Sequence, residues 1–358
     1  MMLTIHNPKR ILITSPHNLG DFVAKVPFIR LLKQKFPKSQ VLLFTRPYII
    51  PLARCILEID EIHDFEAFFS QKEDSIIESL KAMEIDVCIH ILSISHSLGP
   101  NVIAYAQKAG IPNRVGNIRK SRWVLFRKKN FGLTHNLRKR RILPKLHEFE
   151  WNLLPLQFFG SSFKLEKLNL NELLITDTPS EEKSHYLKEN AFNLIVHPGS
   201  HGNAKEWPGS HYKQLIKELD PSIHVILTGS SEERYRFNML HFEKREVLDL
   251  RGELSLEELI HLISQADGVL AASTGPIHIA SLFGVRTLAL FPKQKSMGPE
   301  IWGPKGPYAE ILQSSKICSA CQKRLTDFNK KLCTCMEGIR VDQVNECLEN
   351  WVAHENFI

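Results

Sequence analysis

Residues 10–45 read RILITSPHNLGDFVAKVPFIRLLKQKFPKSQVLLFT, and the order of elements in this stretch decides the fold class. Residues 10–14 are rich in β-branched aliphatics, the signature of a strand. Residues 15–21, Ser-Pro-His-Asn-Leu-Gly-Asp, carry loop chemistry. Over residues 22–36, Phe22, Val26, Ile29 and Leu32 recur every three or four positions with Lys and Arg between them, which predicts a helix. Pro37 ends it, and residues 41–45 predict the next strand. Strand, helix, strand implies a parallel pair joined by a right-handed crossover.

Outward from this unit the alternation continues. Residues 76–83 predict a helix, 87–92 a buried strand, and 103–109 a helix that stops at Gly110. From Arg114 to about Pro144 the pattern degrades into basic residues mixed with Trp123, Phe126 and Phe131, and a loop or irregular helix is expected. Helical periodicity returns over residues 148–159. Residues 164–183 are polar and contain Asp177-Thr-Pro-Ser180, the expected linker. The second half restarts: strands at 193–196, 224–228, 247–250, 268–272 and 286–291 alternate with helices at 211–219, 232–242, 256–265 and 276–283. An amphipathic helix is expected over 341–354. Length alone favours two domains for 358 residues. The expected division is 1–175, 176–340 and a C-terminal helix in 341–358, with both large domains doubly wound α/β sheets facing a central cleft.

Composition narrows the function. Apolar residues make up 43% and charged residues 24%, which excludes disorder and fibrous classes. The formal charge is +7, yet residues 114–141 hold eleven Lys or Arg and no acid, so the rest of the chain is slightly acidic. That argues against a protein that coats nucleic acid over its whole surface. Residues 1–13 have no long apolar segment of the signal-peptide kind. Residues 269–291 carry one charge, Arg286, but Ser273-Thr-Gly-Pro276 and Gly284 cut them into pieces too short to span a bilayer. A soluble, cytoplasmic protein is expected. Cys55 and Cys88 sit alone in apolar runs as core residues do. Cys318-x2-Cys321-x11-Cys333-x-Cys335 has one pair at zinc-ligand spacing, and leaves open structural zinc, reduced thiols or redox pairing.

Four predicted loops leave strand ends with chemistry suited to a ligand. Asp21, at the start of the first helix, could be a general base, but position alone favours a helix cap, and one side chain can be both. His197-Pro-Gly-Ser200-His201, followed by Lys205 and Trp207-Pro208, offers backbone N–H groups and a cation to an oxyanion, or forms a solvated turn. Thr228-Gly-Ser-Ser-Glu232-Glu233 places a carboxylate where nucleotide-binding sheets grip a ribose, or caps a helix. Ser273-Thr274-Gly275-Pro-Ile-His278 builds a helix start with free N–H donors. Together they describe a site for a phosphorylated ligand. No P-loop and no G-x-G-x-x-G is present.

Leu19-Gly-Asp21, His-Pro-Gly-Ser200 with Lys205 and Trp207-Pro208, and Ser-Thr274-Gly-Pro-x-His278-x-Ala280 together resemble glycosyltransferase family 9, the lipopolysaccharide heptosyltransferases. The resemblance runs from about residue 10 to 313. It implies a GT-B fold, with the acceptor on the first Rossmann-like domain and a nucleotide-sugar on the second. It implies an ADP-heptose donor, inversion at the anomeric carbon, and a lipid A–core oligosaccharide acceptor. By position Asp21 matches the catalytic base. Ser200, His201 and Lys205 match residues around the diphosphate, Glu232 or Glu233 the ribose-binding carboxylate, and Ser273, Thr274, Gly275 and His278 the second donor loop. Family members carry an acid where this chain has Ser273, which leaves the sugar open. With that substitution, a module that binds nucleotide-sugar or anionic glycolipid without turnover is the alternative. No Asp-x-Asp occurs, so metal-independent transfer without a cofactor is expected. The basic stretch 114–141 would dock the chain peripherally on the anionic cytoplasmic face of the inner membrane, with RNA binding as the rival use of the same composition.

Overall fold

The computed structural model describes residues 4–91, 102–117, 132–137, 146–160, 175, 184–200, 202, 204–237, 245–294, 297–318 and 334–355. The chain divides into two compact units, Met1–Asn169 and Leu170–Ile358.

The first unit is a parallel sheet of β1 (Arg10–Ser15), β2 (Gln40–Thr45), β3 (Glu61–Asp64), β4 (Val87–His90), β5 (Asn113–Gly116) and β6 (His135–Asn136), in the order β3-β2-β1-β4-β5-β6. All its ladders are parallel. The second unit repeats this with β7 (Phe192–His197), β8 (Ile223–Leu227), β9 (Val247–Asp249), β10 (Gly268–Ala272), β11 (Arg286–Phe291) and β12 (Ala309–Gln313), in the order β12-β11-β10-β7-β8-β9. Each is the doubly wound dinucleotide-fold order, in which the sequence order of the strands reverses beside the first strand. The switch points therefore lie between β1 and β4, and between β7 and β10. Ligands of such sheets bind outside the carboxyl ends of the strands at that point.

The central strands are near-continuous apolar runs because both faces are covered by helices. Every residue of β7, β8 and β10 is buried. Leu12, Leu42, Phe44, Ile76 and Val102 anchor one core of the first unit. Leu194, Val225, Leu270, Leu288 and Trp207 anchor that of the second. The helix Val341–Glu355 adds Val344, Leu348 and Trp351 to this second core, and the Trp351 indole N–H donates to Glu310 Oε1 at 2.7 Å.

Two expectations meet a different structure. The helix expected over 22–36 is two helices, Leu19–Val23 and Val26–Lys35. Pro27 has no N–H to give the Val23 carbonyl, so the ladder breaks at Ala24 and Lys25. The basic stretch is not wholly loop: its described parts include β5 and β6. Arg114 donates from its guanidinium to the carbonyls of Ile111 and Gly132, which ties it into the fold. The remaining basic residues of 114–141 lie outside the described residues. Among the described residues, no helix is long and apolar enough to cross a membrane.

Candidate functional site

In the first unit, the chain leaves β1 at Ser15 and enters the helix Leu19–Val23 at the switch point. Asp21 is the third residue of that helix, 5% exposed. Its Oδ2 accepts the Asn18 backbone N–H at 3.3 Å, the back half of a capping box. The cap and the candidate base are thus one side chain used through two oxygens. Oδ1 is buried and has no hydrogen-bond partner. An acceptor left bare at a strand-end loop is where a ligand hydroxyl can donate.

Four side chains lie around this loop or its neighbours. Lys25, four residues on, is 2% exposed, and its Nζ donates to the Asp21 carbonyl at 3.4 Å. Burial pulls the Lys25 ammonium below its ordinary range, against the pull of Asp21 and Glu148. Glu148, 2% exposed, begins the helix Glu148–Leu153. His90 closes β4 opposite Thr14 and lies 2.6 Å from the Thr14 hydroxyl through Nδ1. Burial, then the Lys25 charge, lowers His90 to about 4, so it is neutral at physiological pH. Tyr48, half exposed, points its hydroxyl at the His17 carbonyl (3.4 Å) and Asn18 Oδ1 (3.5 Å), over the same loop.

In the second unit, three loops leave the carboxyl edge of the sheet. The loop after β7 starts at His197, whose Nδ1 lies 3.0 Å from Thr228 Oγ1 just beyond β8. Gly199 rests directly on the Glu233 carboxyl, and a Cβ there would overlap it, so glycine lets the first two loops close on each other. The Ser200 hydroxyl is engaged within its own loop: it contacts Glu206 Oε1 at 2.7 Å and the Ala204 carbonyl at 3.2 Å, and accepts the Gly202 N–H. His201 lies outside the described residues. Lys205 is half-buried and, among the described residues, has neither an ion pair nor a hydrogen bond.

Glu232 and Glu233 have different surroundings. Ser230 caps the helix Ser231–Arg236, its Oγ accepting the Glu233 N–H at 3.2 Å while Glu233 Oε2 accepts the Ser230 N–H at 2.9 Å. Glu233 is buried against the loop after β7, whereas Glu232 is exposed to solvent. Ser-x-x-Glu was legible as a capping box in the sequence and would have singled out the second acid.

The third loop follows β10, whose Ala271 pairs with His197 in register, so both loops leave the sheet side by side. Ser273 is half-buried and Thr274 is the N-cap of the helix Gly275–Leu282, with Pro276 in its first turn. Thr274 Oγ1 makes no cap bond, and is buried without a partner. His278 is buried, its Nδ1 unpaired, and burial lowers it to about 4. It is therefore uncharged near neutral pH in this structure and can offer a ring N–H or a lone pair. Lys205 and the first N–H groups of Gly275–Leu282 are further groups suited to an anion.

Sequence reasoning missed Glu206, which anchors Ser200, and Arg251, whose buried guanidinium forks onto Asp249 at 2.8 Å through Nε and Nη2. It also passed over Lys25 as one of the charges between apolar positions. In the Cys-rich tail, the Cys318 N–H points at the buried Cys335 sulfur at 3.2 Å. Cys321 and Cys333 lie outside the described residues, and among those described no group of His, Cys, Asp or Glu could hold a metal ion.

The family model of glycosyltransferase family 9 (heptosyltransferase) matches residues 138–332. A protein of Haemophilus influenzae named as a glycosyltransferase is 27% identical over 314 residues, covering 83% of this chain and 86% of its own length. A lipooligosaccharide heptosyltransferase 2 of Campylobacter jejuni is 22% identical over 355 residues, covering 97% of this chain and 100% of its own. Among solved structures, Escherichia coli ADP-heptose LPS heptosyltransferase II superposes with a TM-score of 0.74 at 21% identity, covering 97% of this chain and 99% of that one.

Proposed function

The chain belongs to glycosyltransferase family 9, the heptosyltransferase family, and from that premise we propose that it transfers a heptose from ADP-heptose to the inner core of lipopolysaccharide, with inversion and without a metal. The relatives named for lipooligosaccharide and lipopolysaccharide heptose transfer support the substrate class. The observation that carries the reading is the second sheet's switch point. Three loops of family-like sequence leave its carboxyl edge there, with Thr274 Oγ1 buried and bare and the Lys205 ammonium unengaged among the described residues.

In the proposed reaction, Asp21 Oδ1 takes the proton of an acceptor hydroxyl. The acceptor oxygen forms a bond to the anomeric carbon while the bond from that carbon to the β-phosphate oxygen breaks. ADP leaves with the electron pair. The charge that grows on the diphosphate meets Lys205 and the N–H groups at Gly275, which replace a metal in this role. Glu233, not Glu232, is the carboxylate for the ribose. Ser273 supplies a hydroxyl where relatives place an acid, and so bears on which sugar is accepted.

Incubation with ADP-heptose and a truncated core acceptor should release ADP, and UDP- and GDP-sugars should release little. Binding of ADP-heptose without ADP release would replace this reading with a binding module.

We also propose that the chain works on the cytoplasmic face of the inner membrane, held by the basic residues of 114–141. Each Lys or Arg near an anionic surface adds about 1 kcal/mol. The protein should co-sediment with phosphatidylglycerol vesicles at low salt and be released by about 0.5 M salt, where the screening length falls well below 10 Å. Equal retention on neutral vesicles would reject this docking.

A further inference from the structure

A lysine ammonium that is 2% exposed is costly unless something nearby needs its charge. Lys25 has three donors, yet among the described residues it makes one hydrogen bond, a long one to the Asp21 carbonyl. It stands at the break between the helices Leu19–Val23 and Val26–Lys35. Four residues of helical rise bring its stem back over Asp21, since helical side chains lean toward the N-terminus. On its other side the helix Glu148–Leu153 presents Glu148, also buried. The ammonium feels both carboxylates.

We propose that Lys25 is a positioning residue for Asp21: its buried ammonium, hydrogen-bonded to the Asp21 carbonyl, fixes the turn of backbone that carries the base. The inference rests on the reading of Asp21 as the base. The neighbours agree with it. His90, from β4, is neutral and adds no charge. Tyr48 is held above its ordinary range, chiefly by burial, and stays a phenol. The other titratable groups on the packed elements are His17, His147 and Glu150. Glu150 accepts the His147 backbone N–H at 2.9 Å. Arg30 and Lys33, on the helix that follows, are paired with Glu58 and Asp60. Arg46, beside Tyr48, is paired with Glu66. Among the described residues, Lys25 is a buried cation that both Asp21 and Glu148 act on.

The test is the split of kcat against donor KM for ADP release by the full chain. Lys25→Met keeps the length and removes the ammonium. It should lower kcat by about tenfold or more, with the donor KM unchanged. Lys25→Arg, which keeps a donor for the Asp21 carbonyl, should restore most of kcat. If Lys25→Met does not fold, as judged by circular dichroism, Lys25→Gln, neutral and one atom shorter, takes its place. Wild-type kcat in a folded variant overturns the proposal. Asp21→Asn, run alongside, separates the two ideas. If it stays active, the base reading fails. If it is dead while kcat of Lys25→Met is unchanged, Lys25 alone loses its role.

Discussion

Asp21→Asn is expected to lower glycosyl transfer by about 10²- to 10⁴-fold, the range for losing a positioned general base. Stability and donor binding should barely change. Oδ2 carries the helix cap, accepting the Asn18 N–H, and an asparagine oxygen can accept that bond as well. What the amide loses is charge near a helix N-terminus, about 0.3–1 kcal/mol. In the proposed reaction Oδ1, which has no partner among the described residues, takes the proton, and an amide there cannot. The donor loops all lie in the unit Leu170–Ile358, while Asp21 lies in Met1–Asn169, so affinity for ADP, measured by calorimetry, should match the wild type. Transfer at the wild-type rate would assign the base elsewhere and leave Asp21 as a cap.

Trp207→Ala is expected to have the largest effect on stability. Trp207 is fully buried in the second core. Its ring meets Tyr212 edge-on at 4.8 Å, and its indole N–H donates to the Ile339 carbonyl at 3.0 Å. Truncating a buried tryptophan costs about 3–5 kcal/mol, and a buried carbonyl left unpaired adds about 1–3 kcal/mol. Set against the usual 5–15 kcal/mol for a domain, this would bring the second unit close to unfolding at 25 °C. Urea unfolding followed by circular dichroism should show the midpoint falling sharply. Trp207→Phe, which keeps most of the packing and loses the indole hydrogen bond, should fall between the two. An unchanged midpoint would show that the core closes without the indole. The same side chain pins the loop that carries Lys205, so ADP affinity should fall with stability.

The central strands and the crossovers were legible because they are buried on both faces and read as unbroken apolar runs. Residues 268–272 and 286–291 match β10 and β11 residue for residue. The strands that escaped are β3, β5, β6 and β12, at or near the sheet edges. In β3 every residue is half-exposed, and β12 alternates between half-exposed and exposed positions. Such segments are short, and their composition resembles the loops around them. The site divides in the same way. The loops were found because loop chemistry at strand ends is a local property. Roles inside them were not, because they depend on contacts distant in sequence. The turn of Ser200 toward Glu206, the burial of Lys25 beside Glu148 and the neutrality of His278 all arise from neighbours that no spacing reveals.

The helix Val341–Glu355 carries a consequence for synthesis. Trp351 lies over Phe192 in the opening strand of the second unit, with ring centroids 6.3 Å apart, and a Cβ on Gly268 would collide with its ring. On the ribosome, β7 is translated long before its covering helix clears the exit tunnel. The helix Gly209–Glu218 covers part of that core early, but the patch at Phe192 and Gly268 stays bare until residue 351 emerges. A stall or premature stop before that point would leave a nascent product with an uncovered, aggregation-prone sheet, a natural client for chaperones and proteases.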